Sequence, residues 1–125
     1  MVIEGLTTVL CVGNDLVNLN LRCSALQKCK WNVVSAGSGH DGLLRFAGQK
    51  AGPDVVVLDL NHDGAENALI ASEFKRLCPG VRIVMIVNKR ETLVPGVTDL
   101  ADAIVLKSEE ETALADYIRG LLRES

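Results

Sequence analysis

Two charged side chains of opposite sign stand at the ends of short apolar segments. Asp59 closes the apolar run of residues 55–58, and Lys107 follows the apolar run of residues 103–106. Runs of this length between turn residues are typical of strands that are buried on both faces of a parallel sheet. Chemistry collects at the carboxyl ends of such strands, so we expect the Asp59 carboxylate and the Lys107 ammonium to meet there. Such a pair suits an acidic group that carries phosphate, or it is a plain salt bridge.

The elements that must position these two side chains alternate between strand and helix patterns. Strand patterns cover residues 7–12, 31–36, 53–60, 81–87 and 101–106, and helix patterns cover residues 15–28, 38–47, 65–77 and 109–123. We therefore predict an α/β domain, a parallel sheet with helices on both faces. The stretch of residues 88–100 is ambiguous, because Pro95 and Gly96 would shorten or break a helix there.

Composition narrows the class of protein. The 125 residues, 48% of them hydrophobic, suffice for one domain with its own core, so we expect a single domain over residues 1–125 with no output domain attached. A net charge of −3 without a basic run argues against binding to nucleic acid. No apolar stretch reaches the roughly 18 residues of a membrane span, and the N-terminus lacks a signal-peptide pattern.

The cysteines indicate the compartment. Cys11, Cys23, Cys29 and Cys78 include no pair at C-x-x-C spacing, and Cys11 falls inside an apolar strand. We expect structural thiols rather than a metal or redox site, and hence a reducing, cytoplasmic location.

From residue 7 to its end, the chain resembles the receiver domain of two-component response regulators. The resemblance lies in the end of the strand at Asp59-Leu60, in the segment of residues 101–107 and in the spacing of strands and helices. It implies a flavodoxin-like (βα)5 fold with strand order 2-1-3-4-5. It also implies that Asp59 is the phosphoacceptor in a phosphorelay, that Lys107 contacts the phosphoryl group, and that a histidine kinase or phosphotransfer protein donates it on Mg²⁺.

The resemblance also implies a depleted metal site. The two acidic positions after the first strand of the family align with Gly13 and Asn14. A weak or absent Mg²⁺ site would then consist of Asp59, the Asn14 amide and the backbone carbonyl of Asn61, with Asp15 as a further candidate ligand.

The switch residues of the family are changed as well. Its hydroxyl residue after the fourth strand aligns with Val87, and its aromatic residue on the fifth strand aligns with Ile104. We therefore expect an atypical member that is not an enzyme. Either it signals by phosphorylation of Asp59, or it is a phosphorylation-independent protein–protein interaction module. The downstream partner and the formation of a homodimer stay open.

A rival motif is present in residues 37–42, which read Gly-Ser-Gly-His-Asp-Gly. The pattern G-x-G-x-x-G after a strand and before a helix matches the dinucleotide-binding fingerprint. That fingerprint belongs after the first strand, whereas here it follows the second, which lies at the sheet edge in the order 2-1-3-4-5. Nucleotide binding is therefore the third hypothesis.

Overall fold

The computed structural model describes residues 7–46, 52–59, 64–88 and 99–123, and the side chains of residues 64–67 are not among those described. The strands are β1 (Thr8–Gly13), β2 (Asn32–Ala36), β3 (Val55–Asp59), β4 (Arg82–Val87) and β5 (Ala103–Leu106). The helices are α1 (Leu16–Gln27), α2 (Gly39–Phe46), α3 (Gly64–Leu77) and α4 (Glu110–Arg123), and one 3-10 turn (Lys107–Glu109) joins β5 to α4. The ambiguous stretch lies outside the described residues except at its two ends.

All the described strands are parallel, and their order is β2-β1-β3-β4-β5. This order and the helices on both faces confirm the predicted flavodoxin-like fold. The central strand β3 is buried at every position, as its continuous apolar run predicts. Within the described ranges, no helix has the length and apolar character needed to cross a bilayer.

Strand alternation divides the core into two halves. Val9 and Cys11 of β1 pack on the side of α1 and α4, whereas Leu10 and Val12 pack on the side of α2 and α3. Each of these side chains is fully buried, which contributes about 1.5–3 kcal/mol for a Val or Leu. Both halves are therefore continuous apolar layers that hold the strand ends in place.

The sequence patterns placed several leucines on the wrong face of their helices. The helical spacing of apolar residues predicts that Leu16, Leu44, Leu69 and Leu77 face the core, but they are 51–68% exposed. In α3 the sheet-facing positions include the small Ala71 and the fully packed Phe74. Successive helix positions lie about 100° apart, so Leu69 and Leu77 are turned away from that face.

The sequence predicts capping residues at three helix starts, namely Asn14 or Asp15, Ser38 and Ser108. Asp15 caps α1 by accepting hydrogen bonds from the backbone N–H groups of Val17 and Asn18. Ser38 accepts a hydrogen bond from the backbone N–H of Asp41 at 3.1 Å, as expected for the start of α2. The predicted cap at Ser108 is wrong, because Ser108 lies in the 3-10 turn and α4 begins at Glu110.

Candidate functional site

Asp59 is the last residue of β3, and it is only 3% exposed. The strand register places it beside Gly13, the last residue of β1. Lys107, the first residue after β5, brings its Nζ to 3.3 Å from Asp59 Oδ1. The predicted meeting of these two side chains at the carboxyl edge of the sheet is therefore present in the structure.

The other oxygen of Asp59 binds a residue that the sequence analysis did not select. Arg22 Nη2 donates a hydrogen bond to Asp59 Oδ2 at 2.8 Å. The Arg22 side chain is 1% exposed and the Asp59 side chain 4% exposed, so the contact is shielded from water. Both carboxylate oxygens of Asp59 are thus paired with a cation.

Glu110, the first residue of α4, holds the other side of the Arg22 guanidinium. Arg22 Nε lies 2.5 Å from Glu110 Oε2, and Nη2 lies 2.9 Å from Oε1. Two parallel N–H donations from one guanidinium to one carboxylate are the strong, bidentate form of this interaction. Arg22 therefore joins α1, β3 and α4 through one buried group.

Arg22, Lys107, Asp59 and Glu110 form one ion-pair network, and their formal charges cancel. Arg22 and Lys107 carry two positive charges, and Asp59 and Glu110 carry two negative charges. Burial opposes the charge of Arg22, but the hydrogen bond and charge of Glu110, together with those of Asp59, outweigh it and raise the guanidinium pKa. Arg22 therefore stays positively charged beside Asp59.

The sequence explains how Arg22 reaches this position. Arg22 lies three residues after Leu19 and four before Leu26, so it shares the buried face of α1 with these two leucines. Gly13 lies next to the guanidinium, since a Cβ at position 13 would be in ordinary contact with Arg22 Nη1 at 3.6 Å and with the Asp59 carbonyl oxygen at 3.4 Å. The sequence signal that would have identified Arg22 is its helical spacing from two leucines of the buried face.

Comparison with solved structures identifies the architecture. A response regulator receiver domain from Methanospirillum hungatei superposes with a TM-score of 0.82 at 21% identity and covers 96% of each chain. The response regulator TrrA from Thermotoga maritima in complex with Mg²⁺-BeF has a TM-score of 0.79 at 21% identity, covering 93% of this chain and 99% of TrrA. The chain has the receiver fold. TrrA in complex with the histidine kinase ThkA matches similarly, with a TM-score of 0.78.

This likeness confirms the resemblance inferred from the sequence, as a likeness of fold. No protein-family model matches the chain, and no curated protein matches it. The structural relatives share only about a fifth of their residues with this chain, so the roles of individual residues are argued from the site itself.

The donors that the receiver fold brings together here do not fit a Mg²⁺ ion. Both carboxylate oxygens of Asp59 are paired with cations, Gly13 has no side chain, and the Arg22 guanidinium lies beside these two residues. Among the described residues, no three His, Cys, Asp or Glu side chains converge as a metal site requires. Mg²⁺ needs several hard oxygen ligands, and a guanidinium excludes it by charge.

Of the other predicted ligands, Asp15 is engaged elsewhere. Asp15 uses both side-chain oxygens at the start of α1, where Oδ2 also accepts from the Asn18 side-chain amide at 3.1 Å. Asn14 is exposed in the turn before it. Asn61 lies outside the described residues. The metal-binding roles of these three residues stay predictions.

Two of the three glycines in residues 37–42, Gly39 and Gly42, have a packing role in this receiver fold. A Cβ on Gly39 would lie 2.4 Å from Ile70 of α3, and a Cβ on Gly42 would lie 3.2 Å from Val12 of β1. Both glycines are buried and allow α2 to approach its neighbours closely. With β2 confirmed at the sheet edge, packing explains Gly39 and Gly42 without a nucleotide.

Proposed function

We propose that this chain is a signalling module of the receiver fold that binds a partner protein without phosphorylation of Asp59, and that it is not an enzyme. The observation that carries the proposal is the pairing of both Asp59 oxygens, with Arg22 at 2.8 Å and Lys107 at 3.3 Å. A carboxylate held in this way is a structural anchor at the strand ends.

Electrostatics support this function over phosphorylation. A carboxylate attacks phosphorus with an oxygen lone pair, and Mg²⁺ neutralises the charge that develops on the phosphoryl oxygens. At this site Arg22 occupies one nucleophilic oxygen, and Glu110 fixes Arg22 from behind. Attack by that oxygen, Oδ2, would require the guanidinium to leave Asp59 inside a buried network, which costs several kcal/mol.

An exposed apolar surface on α1 supports a protein partner. Leu16, Val17 and Leu21 are 65–69% exposed, and Val17 and Leu21 lie one helical turn apart. Large aliphatic side chains that lie together at the surface mark contact sites more often than single exposed ones. The helix that carries Arg22 on its buried side thus presents an apolar strip on its outer side.

A phosphodonor experiment tests this function. The purified chain is incubated with acetyl phosphate and Mg²⁺, and its intact mass is measured. We expect no added phosphoryl group in the wild type. Asp59→Asn is the blank, and Asp54→Asn is the matched control because Asp54 directly precedes β3, at the opposite end of that strand.

The retained Lys107 favours a second function, the phosphoacceptor role of Asp59. An ammonium 3.3 Å from the carboxylate can compensate the charge of a bound phosphoryl group. A phosphoryl mass in the wild type and in Asp54→Asn, but not in Asp59→Asn, would refute the first function and establish the second. Oδ1, the oxygen beside Lys107, would then be the attacking atom.

The partner itself gives a further test once it is captured. Immobilised wild type and Asp59→Ala should retain it equally if the contact is independent of phosphorylation. Leu21→Glu, a substitution at a residue 66% exposed on α1, should abolish retention. Loss of the partner with Asp59→Ala in a chain that still folds would contradict the proposal.

A further inference from the structure

A groove of about 500 Å³ runs along the surface between α1 and α4. Its walls include Asn18, Leu21, Ala25, Lys28, Glu111 and Ala115. The buried side chains of Leu26 and Leu114 also line it, so its floor is the apolar junction of the two helices. We call this surface the α1–α4 groove.

The apolar part of the groove pairs a projecting side chain with a hollow. Leu21 lines the groove and is 66% exposed. Ala25 lies one helical turn further along α1, and Ala115 lies on the wall formed by α4, so only methyl groups occupy the space beside Leu21. A hollow of this kind accepts a large apolar side chain from another molecule, and Leu21 is itself a side chain of that kind.

Charges of opposite sign lie at the two ends of the groove. Because α1 follows β1 and α4 follows β5, both helices start at the carboxyl edge of the sheet. Glu111, in the first turn of α4, therefore lies towards that edge, whereas Lys28 ends α1 near the amino edge, where β2 begins. Both side chains are exposed, and within the described part of the chain neither forms an ion pair. Lys107 and Glu110, which also line the groove, belong to the network around Asp59.

We propose that the α1–α4 groove is the contact surface of a homodimer, in which a two-fold axis crosses α1 midway between Leu21 and Ala25. Such an axis makes the two α1 helices antiparallel and repeats every contact twice. Leu21 of each copy then lies over Ala25 of the other copy. Position 28 of one copy lies level with Asn18 of the other, at the end of the groove that carries Glu111. Lys28 of each copy therefore faces Glu111 of the other.

The charge pattern selects a second copy as the occupant of the groove. A molecule that fits must present an acidic group to Lys28, a basic group to Glu111 and a large apolar side chain between them. The groove of a second copy, turned end for end, presents Glu111, Leu21 and Lys28 in that order. The surface is thus complementary to itself in both charge and shape.

This inference rests on the proposed function in one respect, since Leu21 belongs both to the groove and to the exposed apolar strip of α1. It names the protein that covers Leu21 as a second copy of the chain. The dimer does not use Asp59. The phosphodonor experiment measures covalent mass, whereas the experiments on the dimer measure association, so either proposal can fail while the other stands.

Sedimentation equilibrium of the purified chain tests the dimer over concentrations from about 10 µM to 1 mM. We expect the weight-average mass to rise from that of one chain towards twice that value. Leu21→Glu changes an exposed side chain, so it should keep the circular dichroism spectrum of the fold and stay monomeric. A wild type that stays monomeric, or a Leu21→Glu chain that associates as strongly as the wild type, would overturn the proposal.

Charge reversal tests the relative orientation of the two copies. Lys28→Glu and Glu111→Lys should each weaken the dimer by about tenfold, because two exposed ion pairs become two contacts between like charges. An equimolar mixture of the two variants should associate with nearly the affinity of the wild type. In the mixed dimer one contact joins the two reversed charges and the other joins the two original ones.

Arg123→Glu is the matched control for charge reversal. It makes the same change of charge as Lys28→Glu at an exposed residue that ends α4, and it should associate like the wild type. Reversals in the groove that act no more strongly than this control would overturn the proposal. A mixture that associates no better than its two components would overturn it as well, and recovery in the mixture would show that both variants fold.

Discussion

Replacing Arg22 by methionine should destabilise the fold strongly, although it removes no buried apolar group. Methionine keeps an unbranched stem of similar length and removes only the guanidinium. The change leaves Asp59 buried with Lys107 as its remaining cation, and it leaves Glu110 without its bidentate partner. The substitution therefore isolates the electrostatic contribution of Arg22.

The expected magnitude follows from the distances. At an effective dielectric constant near 20, a pair of charges 2.8 Å apart attracts by about 6 kcal/mol before desolvation is subtracted. Removal of one member of a buried pair costs about 3–5 kcal/mol in measured cases. Lys107 still neutralises part of the Asp59 charge, and the Glu110 side chain is 19% exposed and gains water, so we expect about 3 kcal/mol.

Thermal and urea unfolding measure this loss. A cost of about 3 kcal/mol should lower Tm by about 10 °C in a domain of this size. Arg76→Met is the matched control, because Arg76 also pairs with a carboxylate at 2.7 Å but is 66% exposed. Exposed pairs contribute little, so this variant should melt close to the wild type.

A double-mutant cycle identifies the cause. If the cost comes from an uncompensated carboxylate, Arg22→Met should destabilise the Asp59→Asn chain less than it destabilises the wild type. A Tm for Arg22→Met equal to that of Arg76→Met would refute our account of the site. Equal costs in both backgrounds would show that Asp59 does not couple to Arg22.

Three further predictions follow from single contacts. Gly13→Asp alone should not improve Mg²⁺ binding in a calorimetric titration, because the new carboxylate would pair with Arg22. Gly13→Asp combined with Arg22→Ala should bind the ion more tightly, and equal binding by the two variants would contradict this. Burial opposes ionisation of Asp102, but hydrogen bonds from a lysine and a backbone N–H outweigh it and lower the pKa of Asp102. The contribution of this carboxylate to the free energy of unfolding is therefore present above the ordinary pKa of Asp and is lost as pH falls. Asp102→Asn should cost about 1 kcal/mol at pH 7 and progressively less in acid, as urea midpoints would show. Gly39→Ala should destabilise the fold by about 1–2 kcal/mol, because its Cβ would overlap α3. Gly120→Ala in α4 has open space and should stabilise the fold by about 0.5–1 kcal/mol. A change of the same sign for both variants in thermal melts would contradict the packing argument.

The central part of the fold was predictable because its signals are strong and local. The run of residues 55–58 is continuously apolar, and only a strand covered on both faces buries it completely. Its position, followed by a carboxylate, was enough to place Asp59 at the sheet edge and to bring Lys107 to it. The start of β5 was predicted less well, because β5 begins at Ala103 rather than at residue 101.

Arg22 was missed because charged residues on helices are normally assigned to solvent. Its partners lie 37 and 88 positions away in the sequence, and no local pattern connects residues so far apart. Glu110 belongs to the run Glu109–Glu111 at the start of the predicted last helix, and the preference of helix N-termini for acidic residues explains it without a partner. Only the positions of α1 and α4 over the same half of the core show that the two charges meet.

The Arg22 network also bears on the synthesis of this protein. Its bidentate carboxylate belongs to the last helix, so a nascent chain that has not yet released α4 from the ribosome carries a guanidinium without that partner. Long-range contacts of this kind slow folding, since loop closure must precede them. Truncation before residue 110 should therefore leave a chain that aggregates or is degraded, because Arg22 would lose a carboxylate that lies 88 positions further along the sequence.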